Sequence, residues 1–468
     1  MNDDIFFAPI TDLSARLLNK EFSAVELTRA FGERLKTLGP RYNALALPLT
    51  EVAVKRAKAV DDELRRERLR GPLQGIPFGA KDLLSFAGHR TTWGAKPYET
   101  QVLDETATVI TKLDALGSLL VGKLSMIELA GGPSYRSAEA SLFGPCKNPW
   151  DPARWAGGSS SGSGAAVAAG LVPFALGSET SGSILSPAAY CGVTGLRPTY
   201  GLVSRHGAMA LSWTLDKIGP ICRTAEDCGH VLQAISGGDS KDPGSAGKSF
   251  YYTPQYARKI TDLKAGVAGA GFDWAEAAFG VLREAGLKTA AAKLTDFPYG
   301  PMISTIIGTE AASIFEPLIT SGKVDQLQDS RQIARLKAGL EIPAKDYLKA
   351  MRIRSLVRDK FRELFYDLDV LIAPTFPSIA PKISEPFDAP ATTAVGPSRP
   401  PNPLGSLIQA GNLAGLPALS VPCGFDQGMP VAIQLVGPPF SENLLLSLGR
   451  EFQQRTEWHK RRPPFMAA

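Results

Sequence analysis

Gly157-Gly158-Ser159-Ser160-Ser161-Gly162-Ser163, an apolar run from Ala165 to Leu176, and Gly177-Ser178-Glu179-Thr180-Ser181-Gly182-Ser183 follow one another in the middle of this chain. Serine next to glycine is by itself a loop signal. Here two hydroxyl-rich turns flank an apolar run that reads as a buried helix leading into a strand, so both are tethered to one rigid element. That arrangement positions a hydroxyl nucleophile, and Lys81, well upstream, is a candidate base.

Working outward, short apolar segments at Ile76–Ala80, Ser118–Gly122, Val172–Ala175, Val370–Ala373 and Val431–Val436 alternate with helical stretches. This is the pattern of an α/β sheet covered by helices on both faces. Asp12 to Glu67 reads as an opening helical layer, with apolar residues at helical spacing among Leu, Ala, Glu, Lys and Arg. Two Pro/Gly-rich regions, Gly237–Gly247 and Pro381–Gly405, interrupt the alternation; the second is long enough for a functional loop and equally suits a surface covering.

The residues now on the page resemble the amidase signature family, Ser-Ser-Lys hydrolases that cut the carbon–nitrogen bonds of amides. The resemblance runs from Gly75-Ile76-Pro77-Phe78-Gly79-Ala80-Lys81-Asp82, through the serine clusters, to Cys191-Gly192-Val193-Thr194-Gly195-Leu196-Arg197-Pro198-Thr199-Tyr200-Gly201-Leu202-Val203-Ser204. It continues in Leu215-Asp216-Lys217-Ile218-Gly219-Pro220 and in the stretch Asn412 to Gly424, with residues 240–360 the least family-like. The resemblance implies one amidase domain over residues 1–468, with a signature core at about 70–225 and a more variable pocket region at about 240–360. The implied fold is a single large α/β domain with a mixed central sheet.

By the same resemblance Ser183 is the nucleophile, Ser159 the bridging serine preceded by a cis peptide, and Lys81 the base. The N–H groups of Thr180, Ser181, Gly182 and Ser183 are the expected oxyanion donors, since such donors offset the charge of a tetrahedral intermediate. Burial among Gly79, Ala80, Leu83 and Leu84 would lower the lysine's pKa, because the charged form loses hydration. A surface lysine with a snorkelling stem is the bland alternative for Lys81, and a capping or turn role is the expectation for Ser160, Ser161, Ser163 and Ser178.

Rival motifs are weaker. Gly158-Ser159-Ser160-Ser161-Gly162 satisfies the G-x-S-x-G elbow of α/β-hydrolases, with Ser160 as nucleophile and His206, His230 or His459 as base, but it leaves the second cluster unexplained. Gly117 to Leu124 falls short of a phosphate-binding loop because Leu124 stands where a Ser or Thr would ligate magnesium, and it reads as a strand ending in a turn. The four histidines lack metal-ligand spacing.

Composition bounds the remainder. The chain has 468 residues, 44% of them hydrophobic, and a formal net charge of +5 spread over surface helices such as Lys55 to Arg70, which gives no dedicated nucleic-acid surface. Five cysteines without C-x-x-C spacing suit reduced thiols in the cytoplasm. No run has the length to span a bilayer. The expected enzyme needs no cofactor or metal, binds a small-molecule amide or carbamate rather than nucleic acid or membrane, and works as a monomer or homodimer.

The chain departs from the family where Leu185 replaces the usual arginine after Gly182-Ser183-Ile184, and where Ser181 and Ser161 replace glycines. An arginine-free site predicts neutral, largely apolar amides, aryl or aliphatic, with carbamates (urethanes) possible. Gly131, Gly132, Leu185, Met209 and Trp213 are expected to line the substrate pocket. The competing expectations are the glutaminase component (the A subunit) of a glutamyl-tRNA amidotransferase, and a catalytically silent binding protein.

Overall fold

The computed structural model describes residues 3–268, 271–387 and 404–464. Eleven strands form one mixed sheet: β1 Leu45–Pro48, β2 Pro77–Lys81, β3 Leu119–Leu124, β4 Phe174–Glu179, β5 Thr194–Arg197, β6 Lys217–Cys222, β7 Lys264–Val267, β8 Lys288–Ala291, β9 Val370–Pro374, β10 Ala418–Asp426 and β11 Met429–Val436. Their order is β1-β3-β2-β4-β6-β5-β10-β11-β9-β7-β8. Strands β2, β3 and β4 run parallel, as do β7, β8 and β9, while β6, β5, β10 and β11 are joined through antiparallel pairs. The α/β class and mixed sheet read from the sequence are both observed.

The central strands are buried along their whole length, which is why they read as continuous apolar runs rather than alternating ones. Phe78 of β2 and Phe174 of β4 are register partners whose rings stack at 5.3 Å, fixing the pair that carries the site. The opening helical layer contains helices Ile10–Leu18, Ala24–Leu38 and Thr50–Arg65, with the short β1 inserted between the last two. Ser23 and Glu26 close a capping box at the second helix, and Leu27, Phe31 and Leu35 turn its apolar face to the core.

The apolar run after the first serine cluster is the helix Ser161–Ala168, buried throughout, followed by β4. Only small side chains fit there: a Cβ on Gly162 would lie 2.5 Å from the Ala44 carbonyl oxygen. Ser160 and Ser163 do not cap this helix. Their hydroxyls donate instead to the Ser178 and Leu176 carbonyls, at 3.1 and 3.0 Å, and bind the helix to β4.

At Gly117–Leu124 the turn precedes the strand rather than following it. All five cysteines are buried and unpaired. No helix among the described residues is long and apolar enough to cross a membrane. Of the Pro381–Gly405 stretch, residues 388–403 lie outside the described residues.

Candidate active site

Strands β2 and β4 are parallel, so their carboxyl ends deliver Lys81 and the turn Thr180–Ser183 to the same end of the sheet, while antiparallel β6 begins there with Lys217 opposite Glu179. In open α/β sheets this is the end at which ligands bind.

Lys81 is fully buried, and its Nζ donates to Ser159 Oγ at 2.7 Å and to Ser178 Oγ at 2.9 Å. Burial lowers its pKa to about 7, against the opposing pull of Asp216 and Glu179. The surface-lysine alternative is therefore excluded. Ser178, read as a turn or capping residue, is a direct partner of the lysine. The Gly158–Ser159 peptide is cis.

Ser183 is partly exposed, unlike Ser159 and Ser160. Its carbonyl accepts from Ser160 N at 3.3 Å, while no hydrogen bond joins its hydroxyl to Ser159 Oγ among the described residues. The structure thus joins Lys81 to Ser159 directly, and ties Ser183 to the first cluster through the backbone.

The turn around Ser183 is shaped by a carboxylate that sequence reasoning missed. Glu179 Oε2 accepts from Ile184 N at 2.9 Å and Leu185 N at 3.0 Å, drawing the chain into a tight loop after β4. Gly182 has φ +94, which a residue with a side chain rarely adopts. Thr180 Oγ1 bonds Asp216 at 2.6 Å. Among the described residues the N–H groups of Thr180, Ser181, Gly182 and Ser183 donate to no protein acceptor, so they remain available to an oxygen in the site.

Glu179 is itself buried among cations and donors. Arg197 Nη1 lies 2.9 Å from Oε1, Asn412 Nδ2 donates to the same oxygen at 2.8 Å, and Lys217 Nζ donates to Asn412 Oδ1 at 2.6 Å. Burial pushes the carboxyl up, but Arg197 and Lys217 outweigh it and hold the pKa at about 2. Burial and Arg197 together push Lys217 well below the usual lysine range. Arg197, Lys217 and Asn412 all lie in quoted motifs, yet nothing in their spacing gave them this role.

A cavity of about 570 Å³ opens beside this turn, lined among others by Ser178, Thr180, Ala130, Met209, Leu211, Trp213, Asp216 and Lys217. Met209 and Trp213 are among its lining residues. Leu185 is not: its side chain has no exposed surface, packs in the core and does not line the cavity, because its backbone N–H is drawn inward by Glu179. Gly131 and Gly132 are buried just behind the lining residue Ala130. Leu129, Ala130, Gly131 and Gly132 all have positive φ, and the segment is anchored next to Ser159 by Ile127 N donating to the Ser159 carbonyl at 3.1 Å. A left-handed Leu-Ala pair carries no sequence signal and is strained backbone of the kind that clusters at sites.

Ser160 is buried with its hydroxyl engaged by the Ser178 backbone, and none of its hydrogen bonds is to a histidine, which removes the elbow reading. Among the described residues no cluster of His, Cys, Asp and Glu could hold a metal ion.

A family model described as Amidase matches residues 26–446. The glutamyl-tRNA(Gln) amidotransferase A-subunit of Methylococcus capsulatus is 36% identical, the match covering 98% of this chain and 99% of that protein. Among solved structures, the native peptide amidase of Stenotrophomonas maltophilia superposes with a TM-score of 0.83 at 30% identity, covering 98% of this chain and 99% of that one. The corresponding amidotransferase component of Thermotoga maritima, the same A-subunit, gives a TM-score of 0.81 at 30% identity, with both chains covered in full.

Proposed function

Since the chain belongs to the amidase family, we propose that it hydrolyses the carbon–nitrogen bond of an amide through an acyl-enzyme on Ser183. One observation carries the reading: a fully buried lysine with its pKa at about 7 is 2.7 Å from Ser159 Oγ, beside a turn of uncommitted N–H groups. Neutral Lys81 takes a proton from Ser159, which takes one from Ser183, and the Ser183 oxygen attacks the carbonyl carbon. The oxyanion is held by the N–H groups of the turn Thr180–Ser183. The proton returns through the same relay to the leaving nitrogen, and water then cleaves the ester by the reverse path. Hydrogen bonds of an unliganded site often close only with substrate present, which accommodates the open Ser159–Ser183 link.

For the amide itself, the relatives give more support to a glutaminase component of an amidotransferase than to the free-standing hydrolase favoured by the sequence. The likeness to two such components extends over essentially whole chains. The expectation of a neutral substrate that rested on Leu185 loses its basis, because that side chain does not meet the cavity. Arg205, Lys217 and Lys241 line the cavity together with Asp216 and Asp242, the mixed charge that an amino acid's α-groups require.

A second reading, hydrolysis of neutral aryl or aliphatic amides or carbamates, keeps one observation of its own. Met209, Leu211 and Trp213 form an apolar wall, and Arg205 is already bound by Asp242 at 2.8 and 3.0 Å. Hydrolysis of glutamine, with and without candidate partner proteins, measured beside a panel of neutral anilides and carbamates, separates the two.

A further inference from the structure

Trp213 is half exposed on the cavity wall, yet its backbone carbonyl is held by two side chains. Its carbonyl accepts from Tyr200 Oη at 2.7 Å and from Arg205 Nη1 at 2.5 Å. The next residue is gripped on both sides. Arg354 Nη2, from the helix Ala344–Asp367, donates to the Thr214 carbonyl at 2.7 Å. Glu310, from the helix Tyr299–Ile314, accepts from Thr214 N at 3.2 Å and Thr214 Oγ1 at 2.9 Å, from Ser212 Oγ, and from Tyr347 Oη at 2.8 Å.

Glu310 and Arg354 are both buried, and burying charge is costly unless every polar atom is met. The loop they fix holds Trp213 against the cavity. At the loop's other end Asp216 accepts from Leu211 N and Ser212 N at 2.8 and 2.9 Å and bonds Thr180 of the nucleophile turn. One continuous set of hydrogen bonds therefore runs from Glu310 to the turn that carries Ser183.

We propose that Glu310 and Arg354 are positioning residues that set substrate specificity, by holding Trp213 as a rigid wall of the substrate cavity beside the turn Thr180–Ser183. This rests on the Ser183 chemistry proposed above. It also gives a physical role to the region at 240–360, where the sequence is least family-like: Lys241 to Gly244 line the pocket directly, and the two helices that carry Glu310 and Arg354 shape it through the loop.

The test uses two sulfonyl fluorides of different bulk, methanesulfonyl fluoride and phenylmethanesulfonyl fluoride, on the full chain. In each case the Ser183 Oγ–S bond forms, the S–F bond breaks, fluoride leaves, and the hydroxyl proton passes through Ser159 to Lys81. The quantity read is the ratio of the phenyl to the methyl inactivation rate constants, with the adduct located by mass spectrometry. Trp213→Ala and Glu310→Ala should each lower that ratio about tenfold, the scale on which a displaced positioning group acts. Glu310→Gln, which can still accept from Thr214, should restore it to within about threefold of the wild type. A merely structural Glu310 would slow both probes equally. An unchanged ratio in folded Glu310→Ala with Ser183 still labelled overturns the clasp alone; if that variant does not fold, Thr214→Val is read by the same criterion. Wild-type protein with no adduct on Ser183 overturns both the clasp and the catalytic reading on which it rests.

Discussion

Glu179 at the end of β4 and Arg197 at the end of β5 form a 2.9 Å ion pair in which neither side chain has any exposed surface. The same carboxylate holds the backbone of Ile184 and Leu185, so the charge that stabilises the sheet end also bends the chain that presents Ser183. Removing one member of such a pair leaves an uncompensated buried charge, which costs about 3–5 kcal/mol. Glu179→Ala should lower stability by about that amount in a urea titration and slow the labelling of Ser183. Wild-type labelling in a folded Glu179→Ala protein would show that the turn does not depend on this carboxylate.

Ser183→Ala should keep the fold and reduce turnover by about three or more orders of magnitude, the scale of deleting a nucleophile. The sulfonyl adduct should vanish with it. An adduct found on Ser160, whose hydroxyl is buried against β4, would contradict the assignment.

Lys81 has a folded pKa of about 7 against an ordinary 10.5, because burial penalises its charged form. Only the neutral amine accepts a proton, so activity on a neutral substrate should rise with pH through about 7 and then level off. In stability the unfolded chain binds the extra proton between about 7 and 10.5, so this lysine's contribution becomes more favourable across that window as pH rises. Lys81→Met should therefore abolish the activity limb and raise stability at pH 7 by about 2–4 kcal/mol. Equal stability of variant and wild type at pH 7 would mean that the lysine is not desolvated.

Five of the eleven strands, β2, β3, β4, β9 and β11, were legible because buried strands leave continuous apolar runs, whereas the grouping of Lys81, Ser159 and the turn Thr180–Ser183 came from the family resemblance. The short strands β1, β5, β7 and β8 were not, since four-residue segments carry little periodicity, and the longer β6 and β10 were read only as family motifs. The charges around Glu179 escaped for a different reason. Arg197 and Asn412 are 18 and 233 positions away from it in the sequence, and only the order of strands β4, β6, β5 and β10 brings them together. Leu185 shows the opposite error. A missing arginine two positions after Ser183 suggested an apolar pocket, but the residue turns inward, and the cation paired with Glu179 is Arg197.

That placement sets an expectation for Leu185→Arg. A guanidinium at a fully buried core position near Arg197 and Lys217 would lose its hydration and meet like charge, a combination that costs several kcal/mol. The variant should lose stability in thermal or urea unfolding and leave the preference between matched neutral and anionic anilides unchanged. A shift of kcat/KM toward the anionic anilide would place residue 185 in the substrate pocket after all.

The choice of amide turns on what the cavity does with charge. Glutamine brings a carboxylate and an ammonium that must both be met on leaving water, and an unmet charge there would cost several kcal/mol. Arg205 and Lys241 can face the one, and Asp216 and Asp242 the other. A neutral anilide needs only the wall of Met209, Leu211 and Trp213, and its ring gains by leaving water. The glutaminase reading therefore predicts that kcat/KM for glutamine exceeds that for glutaramide, which has the same reacting amide without the α-groups, and that candidate partner proteins raise it further. Each charged group that is matched in the site should contribute about tenfold or more to the ratio. Asp242→Asn should then lower kcat/KM for glutamine far more than for glutaramide. If glutaramide and neutral anilides are cleaved faster than glutamine at every partner concentration, the charged lining does not serve an amino acid, and the free-standing hydrolase of neutral amides is the correct assignment.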